Sequence, residues 1–134
     1  MAKLTTIEGI GEKLAEKLKK NGVGSTEKLL EKGATKKGRA EIAEASGIDE
    51  KRILKFVNHA DLMRIKGVGG EYAELLEAAG VDTVAELARR NSDNLAKALE
   101  EANAKKSLVR VVPSAKKVAE WVTAAGGMDR VIKY

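Results

Sequence analysis

The sequence predicts an all-α fold, a compact multi-helix domain made of two repeated units. Three observations lead there. Apolar residues recur at helical spacing along most of the chain. Glycines and capping residues divide it into short segments. A set of key residues then returns 58 positions later. Composition agrees: of 134 residues, 43% are apolar and 34% charged, as in globular chains. Aromatics are only 3%, so Ala, Leu, Ile and Val must build the core, and the single Pro113 speaks against a loop-dominated fold.

Taken in order, residues 12–20 place Leu14, Ala15 and Leu18 on one face, and Asn21-Gly22 supplies the stop. Ser25 or Thr26 caps a second helix that runs to about Lys32 and ends at Gly33. Thr35 opens a third, with Ala40, Ile42 and Ala43 apolar and Gly47 closing it. Asp49 caps a fourth, carrying Ile53, Leu54, Phe56 and Val57 and running on towards Arg64. The second half repeats the plan. Tyr72, Leu75 and Leu76 form an apolar face before Gly80, and Val84, Leu87 and Ala88 another after Asp82-Thr83. Asn91 to Asn94 cap a helix holding Leu95, Ala98 and Leu99, and Pro113-Ser114 opens a last one around Val118, Trp121 and Val122. "SLVRVV" (107–112) has no partner strand and reads as helix or turn.

The repeat is specific. Ile7, Gly9-Ile10-Gly11, Leu18, Gly22-Val23 and Leu29 reappear as Ile65, Gly67-Val68-Gly69, Leu76, Gly80-Val81 and Leu87. "KRILKFVN" (51–58) loosely parallels "KSLVRVVP" (106–113). Two units argue for internal duplication rather than a solenoid. The expected organisation is one all-helical domain over residues 1–125, with repeats at about 4–64 and 65–125 and a tail at 126–134. Each glycine pair marks a tight hairpin between helices, with the apolar residue between them anchoring it in the core. The first-turn N–H groups of the next helix have no intrahelical partner and, with the helix dipole, form an anion site suited to phosphate.

"LTTIEGIGEKLAEKLKKNGV" (4–23) resembles the helix-hairpin-helix motif of DNA-repair and replication proteins, apolar-x-Gly-apolar-Gly-x-x-x-Ala, through Ile7, Gly9, Ile10, Gly11, Ala15 and Leu18. The resemblance implies that the hairpin amides hold a DNA backbone phosphate without reading bases. Lys13 stands where members often carry a supporting lysine, with Lys17 and Lys20 behind it. It also implies a monovalent cation on hairpin carbonyls, here those of Thr5, Ile7 and Ile10. The second copy departs from the pattern: Glu71 replaces the lysine and Glu74 and Glu77 follow, so Lys66, Gly67 and Gly69 make a weaker site or a packing element. More widely, "HADLMRIKGVGGEYAELLEAAGVDTVAELARRN", with "STEKLLEKGATKKGRAEIAEASGI" before it and "VPSAKKVAEWV" after it, resembles a bacterial domain-of-unknown-function family, number 4332, over most of residues 4–123. That likeness implies a compact all-helical domain with helix-hairpin-helix elements of the SAM-like, tandem type, and no particular activity.

Other classes are narrowed by absence. With no cysteine there is no disulfide, thiolate zinc site or cysteine nucleophile. His59 is the lone histidine and is expected at a helix surface or boundary. No carboxylate pair or Ser/His/Asp set stands out, and the chain is short for a base-flipping pocket, so an enzyme is not expected. No apolar run approaches a membrane span and no signal-peptide block opens the chain, so a cytoplasmic protein is the expectation. Net charge is +5, most of it in residues 1–64, where 14 Lys/Arg face 10 Asp/Glu. "IAEASGIDEKRILKFV" (42–57) also fits a helix-turn-helix that would present Lys51, Arg52 and Lys55; the same residues fit a degenerate hairpin equally well. Lys36, Lys37 and Arg39 read as a solvated helix face. Phe56, Tyr72 and Trp121 read as core. The functional expectation is a non-enzymatic, sequence-independent DNA-binding module. The alternative is a protein-interaction adaptor, suggested by the near-neutral second half and the acidic helix at 71–79. No small-molecule substrate, membrane or cofactor beyond a structural monovalent cation is implied.

Overall fold

The structure, a computed structural model, describes residues 3–134. After a 3-10 turn at Leu4–Thr6 come eight α-helices: α1 (Glu12–Lys20), α2 (Thr26–Lys32), α3 (Lys36–Ser46), α4 (Glu50–Leu62), α5 (Gly70–Ala78), α6 (Val84–Ala88), α7 (Ser92–Lys106) and α8 (Ala115–Gly126). No strand occurs among the described residues, and none of their helices is long and apolar enough to cross a membrane.

Most of the helices start where side chains can cap them. Ser25, Thr35, Thr83, Asn91 and Ser114 each accept a backbone N–H from the third residue on, at 3.0–3.3 Å. Gly47, at φ +75°, ends α3 in the left-handed conformation. α4 stops at Leu62, two residues short of Arg64, where Ile65 N–H turns back to the Leu62 carbonyl. Residues 107–113 are irregular, neither helix nor strand. They are held by Asn103, whose side chain accepts the Val109 N–H and donates to the Val109 carbonyl. The expected likeness of 51–58 to 106–113 therefore does not carry into structure, since the first stretch is helical and the second is not.

The chain sorts into two compact units. One holds residues up to Asp61 together with Val131–Tyr134, the other Leu62–Arg130. In the first, Ile7, Ile10, Leu18, Leu29, Ile53 and Phe56 are buried. In the second, Ile65, Val68, Leu76, Leu87, Val118 and Trp121 form the corresponding core. The tail does not hang free. Ile132 is 2% exposed, and Lys133 N–H donates to the Ala34 carbonyl at 2.7 Å. α4, which begins after Asp49, and α8, capped by Ser114, match at an offset of 65 rather than 58: Ile53 with Val118, Phe56 with Trp121, Ala60 with Ala125, every one of them buried. The extra residues lie in the longer α7 and the irregular segment after it.

Two residues expected at the surface are inside. Arg39 is only 3% exposed and donates to the carbonyls of Gly33 at 2.8 Å and Lys133 at 3.1 Å, while Ala40 is exposed. Position 39 stands three and four residues before Ile42 and Ala43, so helical periodicity places it on the inward stripe despite its charge. A delocalised cation with several donors tolerates that place because carbonyls receive it. His59 is wholly buried on α4, one residue from Ala60 and two from Val57, also buried.

Gly38, inside α3, is set by close approach. A methyl there would collide with the Lys32 carbonyl and stand 3.2 Å from Thr35 Oγ1. Alanine ordinarily gains about 1 kcal/mol over glycine in a helix, but overpacking costs about 1–3 kcal/mol. Gly38→Ala is expected to lower the urea midpoint at unchanged slope; a raised midpoint would show that the Lys32 carbonyl yields.

Candidate functional site

The two glycine-rich hairpins share one geometry. Gly9 and Gly67 lie at φ +94° and +93°, where a side chain is strained. Ile10 and Val68 return an N–H to the carbonyls of Ile7 and Ile65, each at 3.1 Å, and both are 4% exposed. Gly11 and Gly69 then act as N-caps of α1 and α5 at φ, ψ of −87°, −177° and −93°, −171°. With the apolar residue held in the core, the backbone between the glycines can reverse only through the left-handed region.

The first turns of α1 and α5 differ from those of the capped helices. α2, α3, α6, α7 and α8 have a side-chain oxygen over their first turn; α1 and α5 have none. The first helical bonds are Ala15 N–H to Gly11 and Ala73 N–H to Gly69. That leaves the N–H groups of Glu12, Lys13 and Leu14, and of Gly70, Glu71 and Tyr72, without a hydrogen-bond acceptor among the described residues. Nothing lies within 4 Å of where a Cβ on Gly11 or Gly69 would stand. Each of these N-termini begins at a bare, exposed glycine, although Gly70, the first residue of α5, is itself buried.

Charge is distributed unequally. Lys13, Lys17 and Lys20 are exposed and share one face of α1 at i, i+4 and i+7. Glu12 and Glu16 point elsewhere, lining a cleft with Lys3, Thr5, Ala15 and Lys19. On α5 the matching positions are Glu71, exposed, Leu75, buried, and Ala78, half-buried, while Glu74 and Glu77 elsewhere on the helix are half-buried. Lys66 is exposed in the second hairpin.

The last helix of each unit backs its hairpin. A methyl on Gly9 would meet Phe56 Cε1 at 3.2 Å, and the Arg52 guanidinium carbon lies 5.5 Å from the centre of the Phe56 ring. The structure therefore brings Arg52 towards hairpin one through Phe56. Lys51 instead lines a separate cleft with Lys36, Arg39, Asp49, Glu50, Leu54 and Tyr134, and Lys55 is exposed further along α4. In the second unit the backing residue is Trp121, 1% exposed and 5.3 Å from Tyr72 between ring centres. Trp121 and Lys117 both approach Gly67, an approach that the sequence pattern did not signal at the 58-residue period. The 65-residue offset from Phe56 and Arg52 is the signal that would have found it.

The hairpin carbonyls implied for a monovalent cation have spare acceptor capacity. The Ile7 carbonyl accepts one N–H, from Ile10, and retains a lone pair; those of Thr5 and Ile10 accept none from the described residues. No cluster of three or more His, Cys, Asp or Glu suited to a metal occurs among the described residues.

A family model described as Domain of unknown function (DUF4332) matches residues 8–128. The chain belongs to the DUF4332 family. The match takes in both glycine hairpins and every helix from α1 to α8, but no activity comes with it. No curated protein and no solved structure matches this DUF4332 chain.

The two glycines of hairpin one should separate in stability measurements. Gly9→Ala is expected to cost about 1–2 kcal/mol through its left-handed backbone, with the Phe56 contact adding to that. Gly11→Ala, in open space at negative φ, is expected to cost less than about 1 kcal/mol. Thermal melts of the two variants check the order, and equal losses would contradict it.

Proposed function

We propose that this DUF4332 chain is a non-enzymatic, sequence-independent DNA-binding module in which Gly9-Ile10-Gly11 acts as a helix-hairpin-helix and holds a backbone phosphate. The observation that carries this reading is the pair of uncapped helix N-termini in a chain that caps five other helices with side-chain oxygens. Bare N–H groups at the positive end of a helix dipole favour an anion. The absence of a Cβ on Gly11 lets a phosphate approach the backbone.

Lys13, Lys17 and Lys20 extend the attraction along one face of α1, while Glu12 and Glu16 face another cleft. Contacts of this kind are made to the phosphate and not to base edges, so they position the duplex without reading it. Arg52, stacked on Phe56, supplies a further cation to the same hairpin. A monovalent cation on the carbonyls of Thr5, Ile7 and Ile10 would neutralise charge beside the phosphate and stiffen the turn. On this reading the protein works in the cytoplasm of a bacterium, with DNA as its partner.

Fluorescence anisotropy with unrelated duplexes tests it. Binding is expected at low salt, with similar affinity for different sequences and a steep loss as salt rises. Lys13→Glu should weaken binding by about tenfold or more, whereas Glu71→Lys should strengthen it and steepen the salt dependence by about one contact. Both positions are exposed in a first helical turn, so circular dichroism should be unchanged. Wild-type affinity in Lys13→Glu would remove hairpin one as the site. No binding at low salt, with a protein retained from nuclease-treated lysate, would favour the adaptor reading instead.

A further inference from the structure

We infer that the first unit carries a docking groove for a short extended peptide, held in this structure by the chain's own Val131–Tyr134, and that the same segment of a second copy of this chain exchanges into it.

The segment is recognised through its backbone. Lys133 N–H donates to the Ala34 carbonyl at 2.7 Å, and the Lys133 carbonyl accepts from Arg39 Nη2 at 3.1 Å. Both main-chain groups of Lys133 are engaged while the residue itself is exposed. Its neighbours turn the other way. Ile132 is 2% exposed, and Tyr134, 57% exposed, lines a cleft with Lys36, Arg39, Lys51 and Leu54. Residues 132 and 134 meet the first unit and 133 meets water, the alternation of an extended strand. Main-chain hydrogen bonds with alternate side chains received by the surface are how proteins bind strand-like peptides.

The receiving groups are fixed within the first unit. Arg39 is 3% exposed and anchored at its other end, where Nη1 donates to the Gly33 carbonyl at 2.8 Å. A guanidinium is planar and rigid, so holding Nη1 aims Nη2. The turn that offers the Ala34 carbonyl is packed down as well. A methyl on Gly33 would collide with Val57 of α4 and stand 2.9 Å from the Leu29 carbonyl. Thr35, next in the chain, caps α3 through the Gly38 N–H at 3.1 Å.

The chain enters this groove from the second unit. Residues up to Arg130 belong there, with Asp129 accepting from Arg64 Nη1 through its carbonyl at 3.1 Å, and the return begins at Val131. The bonds that place Lys133 come from residues 34 and 39 and do not depend on which chain supplies it. Reciprocal exchange of an identical element preserves such contacts and alters only the linker, a low-cost route to a dimer. A tethered segment competes at an effective concentration on the order of millimolar. The chain's own segment therefore fills the groove in dilute solution, and exchange grows as the chain is concentrated.

A fluorescent peptide of residues 128–134, MDRVIKY, is the probe. The full chain carrying Ile132→Asp cannot bury its own segment, so it should bind the peptide about tenfold or more tightly than the wild-type chain. The peptide carrying Ile132→Asp should bind that chain about tenfold or more weakly. N-methylation at Lys133 of the peptide, which removes the N–H, should weaken binding clearly, whereas Lys133→Ala should leave it unchanged. Circular dichroism checks the fold of the variant chain. Ile132→Ala, a milder release, should fall between the two chains and replaces Ile132→Asp if that variant melts. Light scattering should show dimer rising with concentration in the wild type and none in Ile132→Asp. If neither variant chain binds the peptide more tightly than wild type, or the N-methylated peptide binds as well as the natural one, there is no docking groove. A wild-type chain that stays monomeric at millimolar concentration overturns the exchange between copies.

Discussion

A branched apolar residue buried between two glycines is the constraint on which each unit depends. Ile10 and Val68 are sequestered in their cores, so the chain must reverse on either side of them within a few residues. Only a left-handed backbone at Gly9 and Gly67 allows this, and both adopt it at nearly the same angle. The next helix then begins at a glycine with no side chain to cap it. Burial of one side chain thus produces, a residue later, a first helical turn whose N–H groups have no acceptor among the described residues. The stability of the fold and the chemistry of the surface come from the same turn.

That turn is held from behind by the last helix of its unit. Phe56 on α4 and Trp121 on α8 occupy matching places against Gly9 and Gly67. Their difference changes the electrostatics without changing the backbone. A phenyl ring closes hairpin one with an apolar edge and carries Arg52 on its face. An indole brings an N–H to hairpin two, accompanied by Lys117. Duplicated backbone geometry therefore does not impose duplicated charge.

Arg39 plays a comparable double part in the first unit. Its guanidinium joins the Gly33 carbonyl at the end of α2 to the Lys133 carbonyl near the C-terminus. Ile132 buries alongside, so the last residues complete a core begun by the first ones. A charged residue there is stabilised by two carbonyls in place of a carboxylate. Charge alone does not say whether a lysine-rich helix face is solvated: Lys36 and Lys37 are exposed while Arg39 is not.

The sequence by itself determined the helices, their caps and the two hairpins, because these depend on neighbours three or four residues away. Ser25, Thr35, Asn91 and Ser114 cap where spacing required, and Gly9 and Gly67 sit where the turn needs them. Lys13, Lys17 and Lys20 were readable as one exposed row for the same reason. Pairing over long separations lay beyond its reach. Residue 117 at Gly67, Phe56 beneath Gly9, Lys133 against Ala34 and Arg39 across to Lys133 are contacts that no local pattern encodes. The burial of His59 belongs with them, since a polar residue is drawn inside only when the surrounding helices close over it. Local sequence set which helices would begin without a side-chain cap; tertiary packing decided which side chains were brought against the left-handed glycines Gly9 and Gly67, because only the folded core fixes the register of α4 and α8 against their hairpins.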